Sequence, residues 1–190
     1  LDKANQDTLV VVPKLGNKPD AAFFGVFDGH GPVGDLCSAF ARNVLPKKLG
    51  KNEAFEMNRN HQALREAHEQ TNADMHAQES MGAFSDTMSG TTAISAMLRG
   101  NHLFVSNVGD SRAIVIMDVE GKLVAAPLSI DQTPFREDER GRVKSCGARV
   151  LTLGQMEGTQ DPTVQDFGKE EDNDGDPPRL WARNGSYPGT

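Results

Sequence analysis

An α+β layered sandwich is the fold class this sequence predicts, and three observations predict it. Short apolar runs stand at 8–13 and 21–27, and from Ser89 onward apolar residues recur with a period of two. Between these stretches they recur at three- and four-residue spacing. Strand and helix patterns do not alternate regularly, which disfavours a doubly wound parallel sheet. At 190 residues, with 37% hydrophobic and 25% charged, the chain has the composition of one soluble globular domain with a sizeable core.

The elements follow in chain order. TLVVVP at 8–13 and AAFFGVF at 21–27 are short apolar runs around KLGNKPD, whose Gly, Asn and Pro suit a turn, so the pair reads as a hairpin. Val33, Leu36, Cys37, Phe40, Ala41, Val44 and Leu45 then form one apolar face of a helix, which Pro46 is expected to stop. A second helix is expected over 54–77, with Leu64, Ala67, Thr71 and Met75 on one side. From Ser89 onward, TTAISAML, HLFVSNV, RAIVIM and KLVAAPLS read as an antiparallel meander. Thr133 and Pro134 suit the cap and first position of a further helix that Gly147 ends.

The charge is concentrated. Residues 157–176 hold eight acids against the single base Lys169, so this segment alone accounts for the formal net charge of −7. The segment about 157–178 reads as a solvated acidic loop or insertion, and the balanced remainder points to no nucleic-acid or membrane surface. No apolar run reaches the roughly 18 residues of a membrane span, and the first residues lack the apolar stretch of a signal peptide. A cytoplasmic location is expected, with the nucleus also open to it. Cys37 and Cys146 are expected to be reduced, inert thiols.

If the first hairpin turns near Asn17 and Lys18, Thr8 faces Phe27 and Asp7 faces Asp28. Two carboxylates about 5 Å apart at Cβ repel unless a proton or a cation intervenes, and a hard divalent ion is the natural occupant. Asp28 opens the run Asp28-Gly29-His30-Gly31 at the end of a strand and before a helix. Its glycines allow close approach and offer carbonyl ligands, and His30 could give a proton to a leaving oxygen. His61, His68, His76 and His102 lack the spacing of a helical metal pair and are expected at the surface. Gly29, Gly31 and Gly34 match the dinucleotide fingerprint, but the parallel strand and acid that should follow are missing, so that reading is set aside. Asn107 to Ala113 reads as a tight turn between two strands.

Taken together, NQD at 5–7, FFGVFDGHG at 23–31, SGTTA at 89–93, VGDSRA at 108–113 and SIDQTP at 129–134 resemble the protein phosphatase 2C family, the metal-dependent serine/threonine phosphatases. The resemblance covers nearly the whole chain. It implies a four-layer sandwich of two antiparallel sheets flanked by helices, with residues 1–190 as the N-terminal portion of a single catalytic domain, incomplete at its C-terminal end. It implies two Mn²⁺ or Mg²⁺ ions at one end, with Asp7 and Asp28 as ligands, Gly29 contributing its carbonyl, and Asp110 serving a third, weaker site. His30 is the implied general acid, and water is activated for in-line attack on a phosphoprotein substrate. Lys3 is the one nearby candidate for gripping the phosphate, one position from the family's usual arginine. Gln6 stands where many members have Glu, and the family's later aspartate motifs are not in this sequence. A non-catalytic phosphatase-like interaction module is therefore the alternative function, and other domains of a longer parent chain are possible partners.

Overall fold

β1 (Thr8–Val12) and β2 (Ala21–Phe27) pair antiparallel with Thr8 opposite Phe27 and Val12 opposite Phe23, the register expected from the turn chemistry. The connection is a short 3-10 turn at Leu15–Asn17 in which Gly16 and Asn17 both take positive φ. Leu15 is buried beneath it and locks the turn to the core. The computed structural model describes residues 4–172, 175–183 and 188–189, in two compact units, 1–131 and 132–190.

In the first unit, β3 (Gly29–His30) leads into α1 (Gly34–Gly50), which is followed by α2 (Glu53–Glu56) and α3 (Asn60–Ser80). β4 (Gly90–Thr91) pairs with β3, and β5 (Ala93–Arg99) and β6 (His102–Val108) complete a four-stranded antiparallel sheet of order β1-β2-β5-β6. β7 (Ile114–Val119) and β8 (Lys122–Pro127) pair only with each other among the described residues. Alternation along the strands sends Phe23, Phe27, Ala93 and Met97 to one face, where Cys37, Ala41, Leu45 and Leu49 of α1 and Leu64, Ala67 and Met75 of α3 meet them. Leu9, Val11, Phe24, Val26, Leu98 and Leu103 lie exposed.

The second unit holds α4 (Glu137–Ser145), β9 (Arg149–Leu151), α5 (Leu153–Met156), β10 (Arg179–Trp181) and β11 (Pro188–Gly189), the strands forming a sheet of order β11-β10-β9. Gly147 ends α4 as expected. It takes φ 93°, its N–H donates to Lys144 O, and Ala148 N–H donates to Val143 O. Trp181 is buried and its indole N–H donates to Leu151 O at 2.8 Å. Among the described residues no helix is long and apolar enough to cross a membrane.

Four expectations need correction. Pro46 does not stop α1: the helix runs on to Gly50 because Leu45, Pro46 and Leu49 are all buried, and that burial outweighs the one backbone bond proline removes. The expected helix over 54–77 is two helices. The break falls at Asn58, with φ 60°, and Asn52 caps α2 by accepting from the N–H groups of Ala54 and Phe55. The meander divides at 109–113, so that β6 and β7 lie in different sheets. Thr133 is not a helix cap. Its carbonyl closes a turn onto Arg136 N–H, and α4 starts at Glu137.

Candidate active site

The hairpin register decides the site. Because Thr8 faces Phe27, the next residues outward are Asp7 and Asp28, at the end of the hairpin remote from its turn. Their side chains come within hydrogen-bonding reach of each other, and Asp110 and His30 are close enough to act on Asp28 electrostatically. Partial burial pushes the Asp28 carboxyl above the usual carboxylate range. The negative charge of Asp7 and its hydrogen bond push the same way, Asp110 adds to them, and His30 opposes. Asp28 therefore holds its proton more tightly in the fold than in the open chain, as expected for a partly buried carboxyl facing two others.

Backbone contacts hold this arrangement. Asp28 N–H donates to Thr92 Oγ1 at 3.0 Å, and Thr92 N–H donates back to Asp28 O at 2.8 Å. Thr92 Oγ1 also shares a 2.7 Å hydrogen bond with Ser111 Oγ, which ties the aspartate loop to the turn that carries Asp110. Asn107 Nδ2 holds the Gly109 carbonyl at 3.0 Å, and Arg112 makes two parallel bonds to Asp131 at 2.9 and 2.8 Å. The tight turn expected there is real, but Ser111 and Arg112 within it take partners 19 residues away, Thr92 and Asp131.

Gly29 is buried where a Cβ would collide with the Gly34 carbonyl, so any side chain would push the loop off α1. Gly31 takes φ 85°, and a Cβ there would strike the Met88 carbonyl. His30 lies opposite Gly90 in the β3–β4 pair, and the bare Gly90 backbone leaves room for its ring, since a Cβ would fall 2.6 Å from Nε2. Ser89 Oγ accepts from Val33 N–H at 2.9 Å and fixes the start of α1.

Gln6 Nε2 donates to Gly31 O at 2.9 Å, while its Oε1 is buried with no hydrogen-bond partner among the described residues. An acceptor oxygen without a donor, on the residue that precedes Asp7, suits a cation or its hydration shell. With Asp7, Asp28 and the Gly29 carbonyl, the available donors are all oxygen, the chemistry that suits Mg²⁺ or Mn²⁺. Among the described residues no three His, Cys, Asp or Glu side chains are grouped as a ready-made ion site. Lys3 lies outside the described residues.

Thr92, Ser111 and Ser89 were missed by sequence reasoning as site-positioning residues. The signal lay in the polar SGTT and GDS runs that flank the strands. Cys37 is buried, and burial together with Asp86 and Asp35 pushes its thiol up to about 11, so it is no nucleophile. His68 is not a surface group: it is half-buried, with Nδ1 on Leu64 O at 2.8 Å.

The sequence pattern that describes the family "Protein phosphatase 2C" matches residues 2–163. The chain belongs to the protein phosphatase 2C family. It is 45% identical over its whole length to probable protein phosphatase 2C 35 of Arabidopsis thaliana, of which it spans 53%. It is 32% identical to probable protein phosphatase 2C 64 of Oryza sativa subsp. japonica, over 78% of this chain and 36% of that one. The chain thus spans about half or less of the length of these curated relatives. In solved structures its fold matches a serine-threonine phosphatase 2C from Toxoplasma gondii with a TM-score of 0.73 at 20% identity, over 96% of this chain and 57% of that one. The mixed helices and antiparallel sheets are those of the phosphatase 2C fold, as the resemblance implied.

Proposed function

We propose that this chain is the N-terminal portion of the catalytic domain of a Mn²⁺- or Mg²⁺-dependent phosphatase that hydrolyses phosphoserine and phosphothreonine in proteins. The observation that supports it is the carboxylate pair Asp7 and Asp28: burial and then the charge of Asp7 push Asp28 up, and a divalent cation would relieve both. Asp7, Asp28 and the Gly29 carbonyl would hold the cations, with Asp110 serving a further, weaker site. When bound, such ions supply Lewis acidity toward water and toward phosphate oxygens.

The chain's own groups do the rest. Thr92 keeps the Asp28 backbone in place, so its carboxylate is presented without reorganisation. His30, wedged against Gly90, would donate a proton to the departing serine or threonine oxygen. Lys3 is proposed to meet the phosphate. Cys37, a buried thiol held protonated, takes no part.

A second reading, a phosphatase-like module that binds a partner without catalysis, is favoured by one observation: no three acidic or imidazole ligands are grouped among the described residues. One assay separates the readings. Mn²⁺-dependent release of phosphate from a phosphoserine peptide is measured for this chain, alone and joined to the C-terminal remainder of its relatives. The enzymatic reading expects activity in the joined form that Asp28→Asn reduces by about 100-fold or more. A joined form that is inactive, or indifferent to Asp28→Asn, leaves the binding module.

A further inference from the structure

The end of α1 is rich in cations. Residues 42–51 contain Arg42, Lys47, Lys48 and Lys51 and no acid, in a chain whose net charge is −7. The structure places three of these on one groove of about 440 Å³, between the last turns of α1 and the β1–β2 connection, with Lys14 joining them from that connection. No acid lines the groove, and its walls include Val12 and Pro46. Lys48 and Lys18 are neutralised nearby by Asp74 and Glu56, whereas Lys14, Arg42, Lys47 and Lys51 form no ion pair among the described residues.

Helix-end electrostatics account for part of this. Cations in the last turn complement the helix dipole, which explains Lys47 and Lys51. They do not explain Arg42, in the middle of α1, or Lys14, which belongs to another segment. Four cations over a partly apolar floor, with no acid among them, form an attractive field for an anion that also carries carbon surface.

We propose that this groove docks an extended acidic stretch of the phosphoprotein substrate, a role that rests on the phosphatase reading above. The spacing carries the choice of ligand. Measured along the α1 axis, the helical rise sets Lys47 about 7.5 Å beyond Arg42, and Lys51, the residue that follows the helix, about one further turn on. In an extended peptide, side chains on one face recur about every 6.7 Å, so acids at alternate positions match this row. Cations spread along a row suit carboxylates along a chain better than a single phosphate. Val12 at the groove is five residues along β1 from Asp7, about 17 Å, so an acidic stretch on the same strand of substrate can lie here while its phosphoserine reaches the carboxylate pair.

The test uses an unphosphorylated, fluorescent peptide with glutamate at every second position, followed by anisotropy on the intact protein. The expected result is saturable binding that weakens with added salt. Arg42→Glu with Lys47→Glu should lower affinity by about tenfold or more. Arg42→Gln with Lys47→Gln, a gentler change should the reversal unfold α1, should fall between, with circular dichroism confirming the fold of both. Asp28→Asn should leave peptide binding intact. In kinetics, the charge reversal should raise KM for a phosphopeptide bearing the acidic stretch and leave kcat and the stretch-free phosphopeptide unchanged. Peptide affinity that ignores both substitutions overturns the proposal. So does capture by phosphatidylserine vesicles with no peptide binding, which would make the groove a membrane contact. A protein that binds the peptide as described but releases no phosphate with Mn²⁺ refutes the substrate role through the phosphatase reading, not through the groove.

Discussion

Thr92 and Asp28 exchange two hydrogen bonds, Asp28 N–H to Thr92 Oγ1 and Thr92 N–H to Asp28 O, across 64 residues of sequence. The threonine hydroxyl also bonds Ser111 Oγ, so a single oxygen joins the loop of Asp28 to the turn of Asp110. Neither carboxylate need be contacted by Thr92 for it to govern their separation.

Thr92→Val should therefore damage the site more than the fold. It keeps the β-branched shape and removes the hydroxyl, leaving Asp28 N–H without its acceptor at a cost of about 1–2 kcal/mol. At this chain length that is a fall in Tm of roughly 2–4 °C per kcal/mol, read by calorimetry. Mn²⁺ affinity, read by titration calorimetry, should weaken as well, while Thr92→Ser restores both. Equal behaviour of the Val and Ser variants would show that the hydroxyl has no positioning role.

The hairpin and the helix faces could be read from sequence because their causes are local. Gly16 and Asn17 accept positive φ, which fixes the turn, and the turn fixes the register that brings Asp7 beside Asp28. Cys37, Ala41 and Leu45 mark the buried stripe of α1 by spacing alone. What could not be read depends on distant partners. Pro46 breaks a helix by local rule, yet its neighbours Leu45 and Leu49 are needed by the core. The division of the meander at 109–113 relies on Asn107 reaching Ile130 O and on Arg112 reaching Asp131. The basic groove was hidden for another reason: the balanced totals outside 157–176 average away a cluster that folding assembles from α1 and the hairpin turn.

Asp28→Asn should make the metal-free protein more stable, although it sits in the site. Burial and the neighbouring Asp7 both disfavour a charge on Asp28 when no metal is bound, and the amide removes that penalty. A rise in Tm of a few degrees is expected, on the order of 1 kcal/mol for one relieved like-charge contact. Added Mn²⁺ should then raise the Tm of the wild type and leave the variant where it was. A variant less stable than wild type in EDTA would mean that the carboxylates are not in repulsive contact.

His68 sets a dependence on acid remote from the site. Burial holds its pKa below the ordinary histidine value, and its bond to Leu64 O only partly offsets this. The folded protein therefore prefers the neutral ring. Its contribution is fully present above the unfolded pKa near 6.5 and is lost as pH falls through the lower folded value. Tm should decline between about pH 7 and pH 5 more steeply in wild type than in His68→Phe. Near pH 7.5 the variant should be lower by about 1 kcal/mol at most, the worth of the lost bond from Nδ1 to Leu64 O, because Nε2 has no hydrogen-bond partner to lose. Parallel declines would assign the acid sensitivity elsewhere.

Asp176 gives the opposite sign from within the acidic segment. Its carboxylate accepts from Leu153 and Gly154 N–H, both at 2.9 Å, and pairs with Arg179 at 3.2 Å, so it caps α5 and anchors the end of a segment that composition alone makes a solvated loop. Burial pushes its pKa up, but the bonds from Gly154, Leu153, Thr152 and Arg179 outweigh it and hold the group below the usual carboxylate range. Its stabilisation is present above the unfolded pKa near 3.9 and lost as pH falls through the depressed folded value. Asp176→Ala should cost about 1 kcal/mol at neutral pH, the usual worth of a helix cap. The loss should be read as faster hydrogen exchange at Leu153 and Gly154 and should shrink below about pH 4, where wild type loses the same charge. Asp172→Ala, in the exposed turn at Glu170–Asp172, should leave those two amides unchanged, because a merely solvated acid protects nothing.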